Sequence, residues 1–125
     1  MAAEGYHEPY ERLTPNTTDL HRAIRSLMEE FEAIDWYQQR VDACTDDELR
    51  AILAHNRDEE KEHAAMVLEW LRRRDAVLGE QLRKYLFTTT SIVAKEEGSK
   101  PGAASSDVNA PPSIGSLRKR PEGSE

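Results

Sequence analysis

Residues 45–74 read TDDELRAILAHNRDEEKEHAAMVLEWLRRR, and the fold is reached from them. Thr45 followed three positions later by Glu48 has the form of a capping box, and Asp46 and Asp47 add the negative charge that a helix N-terminus favours. Leu49, Ile52, Leu53, Val67, Trp70 and Leu71 recur at helical spacing, and Arg72, Arg73 and Arg74 suit the C-terminal end of the helix dipole. At about 100° per residue, Asn56, Glu60 and His63 fall inside this apolar stripe, within about 40° of Leu49 and Val67. Charged side chains are almost never fully buried without a partner. A glutamate at the centre of a packing face, with an imidazole one turn on, therefore implies something that compensates it.

Upstream, Leu20, Ile24, Leu27, Phe31, Ile34 and Val41 form the stripe of a long amphipathic helix from Thr17 to about Ala43. The short connection makes the two helices an antiparallel hairpin. Glu30 lies at the edge of the first stripe, about 60° from Leu27, with Tyr37 two turns later on the same flank. A third, shorter helix is expected from about Asp75 to Phe87, carrying Val77, Leu78, Leu82, Tyr85 and Leu86, with Gly79 as its weak point and a place capping one end of the hairpin. Residues 1–15, with Pro9 and Pro15, read as a partly extended leader. From Thr88 onward the composition turns to Thr, Ser, Ala, Gly and Pro, with four of the six prolines and four of the six glycines, and reads as a disordered tail to Glu125. Within it, Ser113–Arg120 sets two apolar anchors, Ile114 and Leu117, beside a basic cluster. The expected class is all-α, with residues 16–87 as the ordered domain.

A chain of 125 residues with a mean hydropathy of −0.78 has room for one modest core. Its formal charge of −7 lies in residues 1–87, because the tail carries five charges of each sign. An acidic body repels phosphate backbones and anionic membranes and concentrates cations, so neither nucleic acid nor membrane is an expected partner. No stretch approaches the roughly 18 apolar residues of a membrane span, and the glutamates of the first thirteen residues do not fit a secretory signal. With Cys44 as the single cysteine, no intrachain disulfide forms, which fits a reducing, cytosolic setting.

A glutamate from one helix and a Glu-x-x-His from its partner make half of a ferritin-type carboxylate site, which needs the set twice. The helical region holds one Glu-x-x-His, Glu60 to His63. Two hairpins related by a two-fold axis supply both halves, so the expectation is a homodimer binding two metal ions through Glu30, Glu60 and His63 of each chain. Such ligands suit iron, manganese, cobalt or zinc. Glu29, Glu32 and Trp36 share the outer face of the first helix, where two carboxylates catch cations or simply form a solvated face. His55, Glu59 and Glu62 share a flank of the second helix and read mainly as solvated surface. A non-catalytic helical assembly or adaptor that binds calcium or zinc at its acidic face is the alternative.

The stretches MEEFEAIDWYQQRVDAC at 28–44, HNRDEEKEHAAMVLEWLRRRDA at 55–76 and YLF at 85–87 resemble the encapsulated ferritins, with Gly115–Arg118 matching again in the tail. The resemblance implies a ferroxidase, oxidising Fe(II) with dioxygen or peroxide at a di-iron centre between two subunits. It further implies dimers assembled into a decameric ring inside an encapsulin nanocompartment. By position it assigns Glu30, Glu60 and His63 as ferroxidase ligands, with Glu60 bridging the irons and Tyr37 completing the catalytic set. Glu29 and Glu32 beside Trp36 become the site where ions enter, His55, Glu59 and Glu62 a peripheral cation site for calcium or zinc, and Ser113–Arg120 the peptide that docks on the shell.

Overall fold

The computed structural model describes residues 5–98, which form helices and turns. Thr14 caps the first helix, α1 (Pro15–Ala43), by accepting a hydrogen bond from the Thr17 amide at 3.1 Å. Pro15 sits in its first turn, where a missing N–H costs nothing. The helix thus starts two residues before the Thr17 expected from the stripe. The second helix, α2 (Asp47–Arg74), is capped by Asp46, whose carboxylate accepts from the Leu49 amide at 2.8 Å. This corrects the capping box: Asp46, one residue later than Thr45, holds the extended backbone and the shorter, charged acceptor. Arg50 closes the turn between the helices, donating to the Cys44 carbonyl through Nε at 3.0 Å and Nη2 at 2.7 Å.

Asp75 joins α2 to the third helix, α3 (Ala76–Tyr85). Its amide donates to the Leu71 carbonyl at 2.9 Å, and its carboxylate accepts from the Leu78 amide at 3.0 Å. The chain falls into two compact units, one through Leu82 and one from Arg83. In the second, Phe87 takes a left-handed conformation at φ 61°, and Ser91 caps a short helix, α4 (Ile92–Gly98), accepting from the Ala94 amide at 3.2 Å. Helix α4 departs from the reading of disorder beginning at Thr88: a serine cap ahead of Ile-Val-Ala-Lys-Glu-Glu is a local helix signal that average composition conceals. Ser113–Arg120 lies outside the described residues.

The leader is docked. Tyr6 packs against His21 of α1 with ring centroids 4.5 Å apart and planes tilted by 39°, and meets Tyr10 at 5.7 Å, beside a short 3-10 turn at Tyr10–Arg12. Gly5, at φ +85°, comes so close to His21 that a Cβ there would stand 2.9 Å from the ring.

The hairpin has a thin core. Among the described hydrophobic side chains, Ala64 and Leu71 are buried, while Ile24, Met28, Phe31, Ile52 and Met66 are each about half exposed or more. Leu27, Ile34 and Val41 turn toward α2, but Ile24 and Phe31, expected in the same stripe, stand outside it. Two helices bury only their facing stripes, so the rest of a wider apolar surface stays open until something else packs on it.

Candidate metal centre

Glu30 is the sixteenth of 29 residues in α1, and Glu60 the fourteenth of 28 in α2. Antiparallel packing therefore sets them at one level, halfway along the hairpin, and His63 follows one turn on from Glu60. The His63 Nδ1 atom lies 3.3 Å from Glu60 Oε1 and 3.7 Å from Glu30 Oε1. One ligand atom from each of the three residues falls within 4.8 Å of the others, and among the described residues no other trio of such side chains is gathered this way. Two carboxylates and an imidazole are a hard-oxygen and borderline-nitrogen set that fits a divalent first-row metal.

The electrostatics agree with a site built to receive positive charge. Glu30 binds its proton more tightly than an ordinary glutamate, chiefly through its hydrogen bond to Glu60 and next through partial burial. Glu60 is shifted the other way, because it accepts that hydrogen bond and is further stabilised as an anion by His63. Two carboxyls this close disfavour ionising together, and the hydrogen bond between them favours the form in which Glu30 holds the proton. The Glu30 and Glu60 side chains are 25% and 24% exposed and His63 46%, so the centre is open on one side of the hairpin.

The other sequence candidates lie apart from it. Tyr37 is half-buried, carries the Arg40 guanidinium 5.2 Å from its ring centroid, and is seven residues, or roughly 10 Å, along α1 from Glu30. Glu29, Glu32 and Trp36 are exposed on α1 and gather no third ligand within the chain. On α2, His55 Nε2 and Glu59 Oε2 are 3.8 Å apart, while Glu62 does not complete a trio with them. A groove of about 400 Å³, one turn from the centre, was not legible beforehand; Ala23, Ser26, Met66, Val67 and Trp70 line it, with the Asp19–Arg22 ion pair at its rim. The available signal was the pair of small residues, Ala23 and Ser26, opposite large ones.

The chain is 65% identical over 105 residues to the encapsulated ferritin-like protein of Rhodospirillum rubrum, covering 84% of this chain and 75% of that one. It is 38% identical to the encapsulin nanocompartment cargo protein EncC of Myxococcus xanthus, covering 89% of this chain and 96% of the other. The crystal structure of protein ne0167 from Nitrosomonas europaea matches with a TM-score of 0.68 at 62% identity, over 70% of this chain and 97% of that one. The EncFtn-like family matches residues 5–89, and this chain belongs to it.

Proposed function

We propose that the protein is a ferroxidase that binds two ferrous ions, its substrate, at a centre shared by two copies of the chain, and oxidises them for storage as mineral. The observation that carries this is the trio of Glu30, Glu60 and His63 at mid-hairpin, half enclosed and open on one side. It is half of a two-metal carboxylate site, and a second copy facing it brings the matching half. Four carboxylates then meet two ions, and the charges cancel.

In this centre the carboxylates hold the ions and His63 adds a nitrogen ligand. The proton held between Glu30 and Glu60 leaves when a cation replaces it. Two ferrous ions yield one electron each; dioxygen takes up two electrons and two protons to become hydrogen peroxide, or peroxide takes up two of each to become water. Glu60, hydrogen-bonded to Glu30 and 3.3 Å from His63 Nδ1, would bridge the ions, with Tyr37 further along α1 completing the catalytic set. The exposed Glu29 and Glu32 beside Trp36 collect ions on their way in, and His55, Glu59 and Glu62 form a peripheral calcium or zinc site when a neighbouring subunit adds ligands.

The exposed side chains Ile24, Met28 and Phe31 stand roughly 100–160° around α1 from Glu30, so the hairpin has a second apolar face in addition to the one at the metal centre. Two different faces per chain are what a ring of dimers needs, which supports the decamer of the encapsulated ferritins. A ring of hairpins does not enclose its mineral product. The name of the Myxococcus relative points to an encapsulin shell as the container, with Ser113–Arg120 as the tether and the shell's interior as the location. Among the described residues no helix is long and apolar enough to cross a membrane.

The test is aerobic oxidation of ferrous iron, followed by ferric absorbance. The parent chain should exceed the buffer rate, and Glu60→Ala and His63→Ala should fall back to it. Variants that oxidise as fast as the parent would remove the centre from the reaction. Deleting residues 113–125 should leave oxidation intact and abolish loading into a co-expressed shell; undiminished loading refutes the tether.

A further inference from the structure

We infer that Met66 is a modification site: its thioether captures hydrogen peroxide leaving the metal centre and becomes methionine sulfoxide. The inference rests on the proposed ferroxidase reaction and adds where the reduced oxygen goes first.

The placement comes from the helix. Met66 follows His63 by three residues on α2, so the two side chains are surface neighbours with about 5–6 Å between their Cβ atoms. His63 is the most exposed of the three ligands at 46%, and Met66 beside it is 64% exposed. Met66 also stands between two open grooves of about 400 and 500 Å³, lining both together with Trp70. A molecule the size of peroxide that leaves the centre past His63 therefore meets this sulfur within one helical turn, with room to approach it from either side.

Met28 supplies the contrast. It is the other methionine among the described residues and is 52% exposed, close to the value for Met66. It lies about 160° around α1 from Glu30, on the far side of that helix from the centre. Exposure to bulk oxidant is thus nearly equal for the two sulfurs, whereas proximity to the centre is not.

The reaction itself supplies the oxidant, since two ferrous ions and dioxygen, with two protons, give one hydrogen peroxide. A lone pair of the Met66 sulfur attacks one peroxide oxygen, an S–O bond forms and the O–O bond breaks. The departing oxygen leaves as water, carrying both protons; the sulfur loses two electrons and the peroxide gains them. The product is a polar, chiral side chain, which a methionine sulfoxide reductase returns to the thioether. Each protomer thus carries a sulfur that records turnover and that, once oxidised, weakens apolar packing over the groove beside Trp70.

In the test, the full chain is loaded with ferrous iron without oxygen, exposed to air in the presence of catalase and digested with trypsin, and fragment mass spectra place any added oxygen. Catalase clears peroxide from the bulk, so only transfer before escape survives it. Met66 should be oxidised several times faster than Met28, whereas peroxide added to the iron-free chain should oxidise the two at similar rates. Equal oxidation of both sulfurs during turnover would overturn the inference, as would an intact Met66 or oxygen placed mainly on Trp70; the ferroxidase reading stands in each case if ferric absorbance rises. Added peroxide that favours Met66 by the same ratio also overturns it, because exposure alone then explains the selectivity. No ferric rise above the buffer rate removes the ferroxidase reading and the inference together. Met66→Leu keeps an apolar side chain of similar volume without the sulfur. It should oxidise iron at the parent rate and, without catalase, release more peroxide in its first turnover; unchanged release overturns the inference.

Discussion

Replacing Glu30 with glutamine separates the two things its carboxylate does. The Glu30 and Glu60 ligand atoms lie within 4.8 Å, each side chain about a quarter exposed. Two unit charges at that distance repel by roughly 3.5 kcal/mol at an effective dielectric constant of 20, and in the free chain the hydrogen bond between the two carboxyls raises the proton affinity of Glu30. In the proposed dimer, closing a second copy over the centre would bring four carboxylates together and exclude the water that screens them, so the metal-free dimer would be opposed by its own ligands. Glutamine has the same shape and donates an amide N–H to Glu60 as protonated Glu30 does. If less than half of the repulsion is recovered, about 1.4 kcal/mol, the metal-free dimer of Glu30→Gln should be about tenfold tighter near neutral pH. Sedimentation velocity in chelator measures this, and ferric absorbance in the same preparation should show oxidation at the buffer rate. A metal-free dimer no tighter than the parent would mean that the carboxylates do not meet across the interface. Retained oxidation would mean that Glu30 is not a ligand.

The same pair sets a pH dependence. Glu30 titrates above the ordinary glutamate range, so between that range and its raised value the folded chain holds a proton that the unfolded chain has released, and its contribution to stability is lost as pH rises through this window. Thermal melting in chelator should show the parent losing stability there relative to Glu30→Gln, and parallel profiles would refute the shared proton. Asp46→Ala removes the acceptor for the Leu49 amide at the start of α2 and should cost about 1 kcal/mol in denaturant unfolding, with Thr45→Ala nearly neutral. Equal costs would return the cap to Thr45. Gly5→Ala places a methyl 2.9 Å from the His21 ring at a φ of +85° and should cost about 1 kcal/mol or release the leader, seen as loss of Tyr6 protection in proteolysis. An unchanged melting temperature and cleavage pattern would show that the leader does not depend on this contact.

The hairpin and its centre were legible because both rest on periodicity. Glu60 and His63 stand out in the sequence as polar residues inside an apolar stripe, of which Leu71 is buried while Leu49 and Ile52 stay about half exposed. The division of labour within a stripe was not legible: Leu27 and Ile34 face α2 while Ile24 and Phe31 do not, and hydrophobicity is the same on both sides of that boundary. Thr45 and Asp46 are both good caps, and the decision between them lies in backbone geometry, which a pattern of residue types does not carry. The docked leader depends on Tyr6 meeting His21, fifteen positions away and outside any repeat. Helix α4 was hidden by the bulk composition of the segment after Thr88. The groove beside Trp70 belongs jointly to two helices, so it has no signature on either alone.

With so little buried between α1 and α2, a newly made chain has scant reason to persist by itself. Its half-lives in solitude and in company should differ widely, and proteases would then clear unmated copies while sparing mated ones. Under the proposed function reactive iron would gain a safeguard from this: a solitary protomer offers three ligands and a short life, so redox turnover would be confined to molecules already on the way to a larger body.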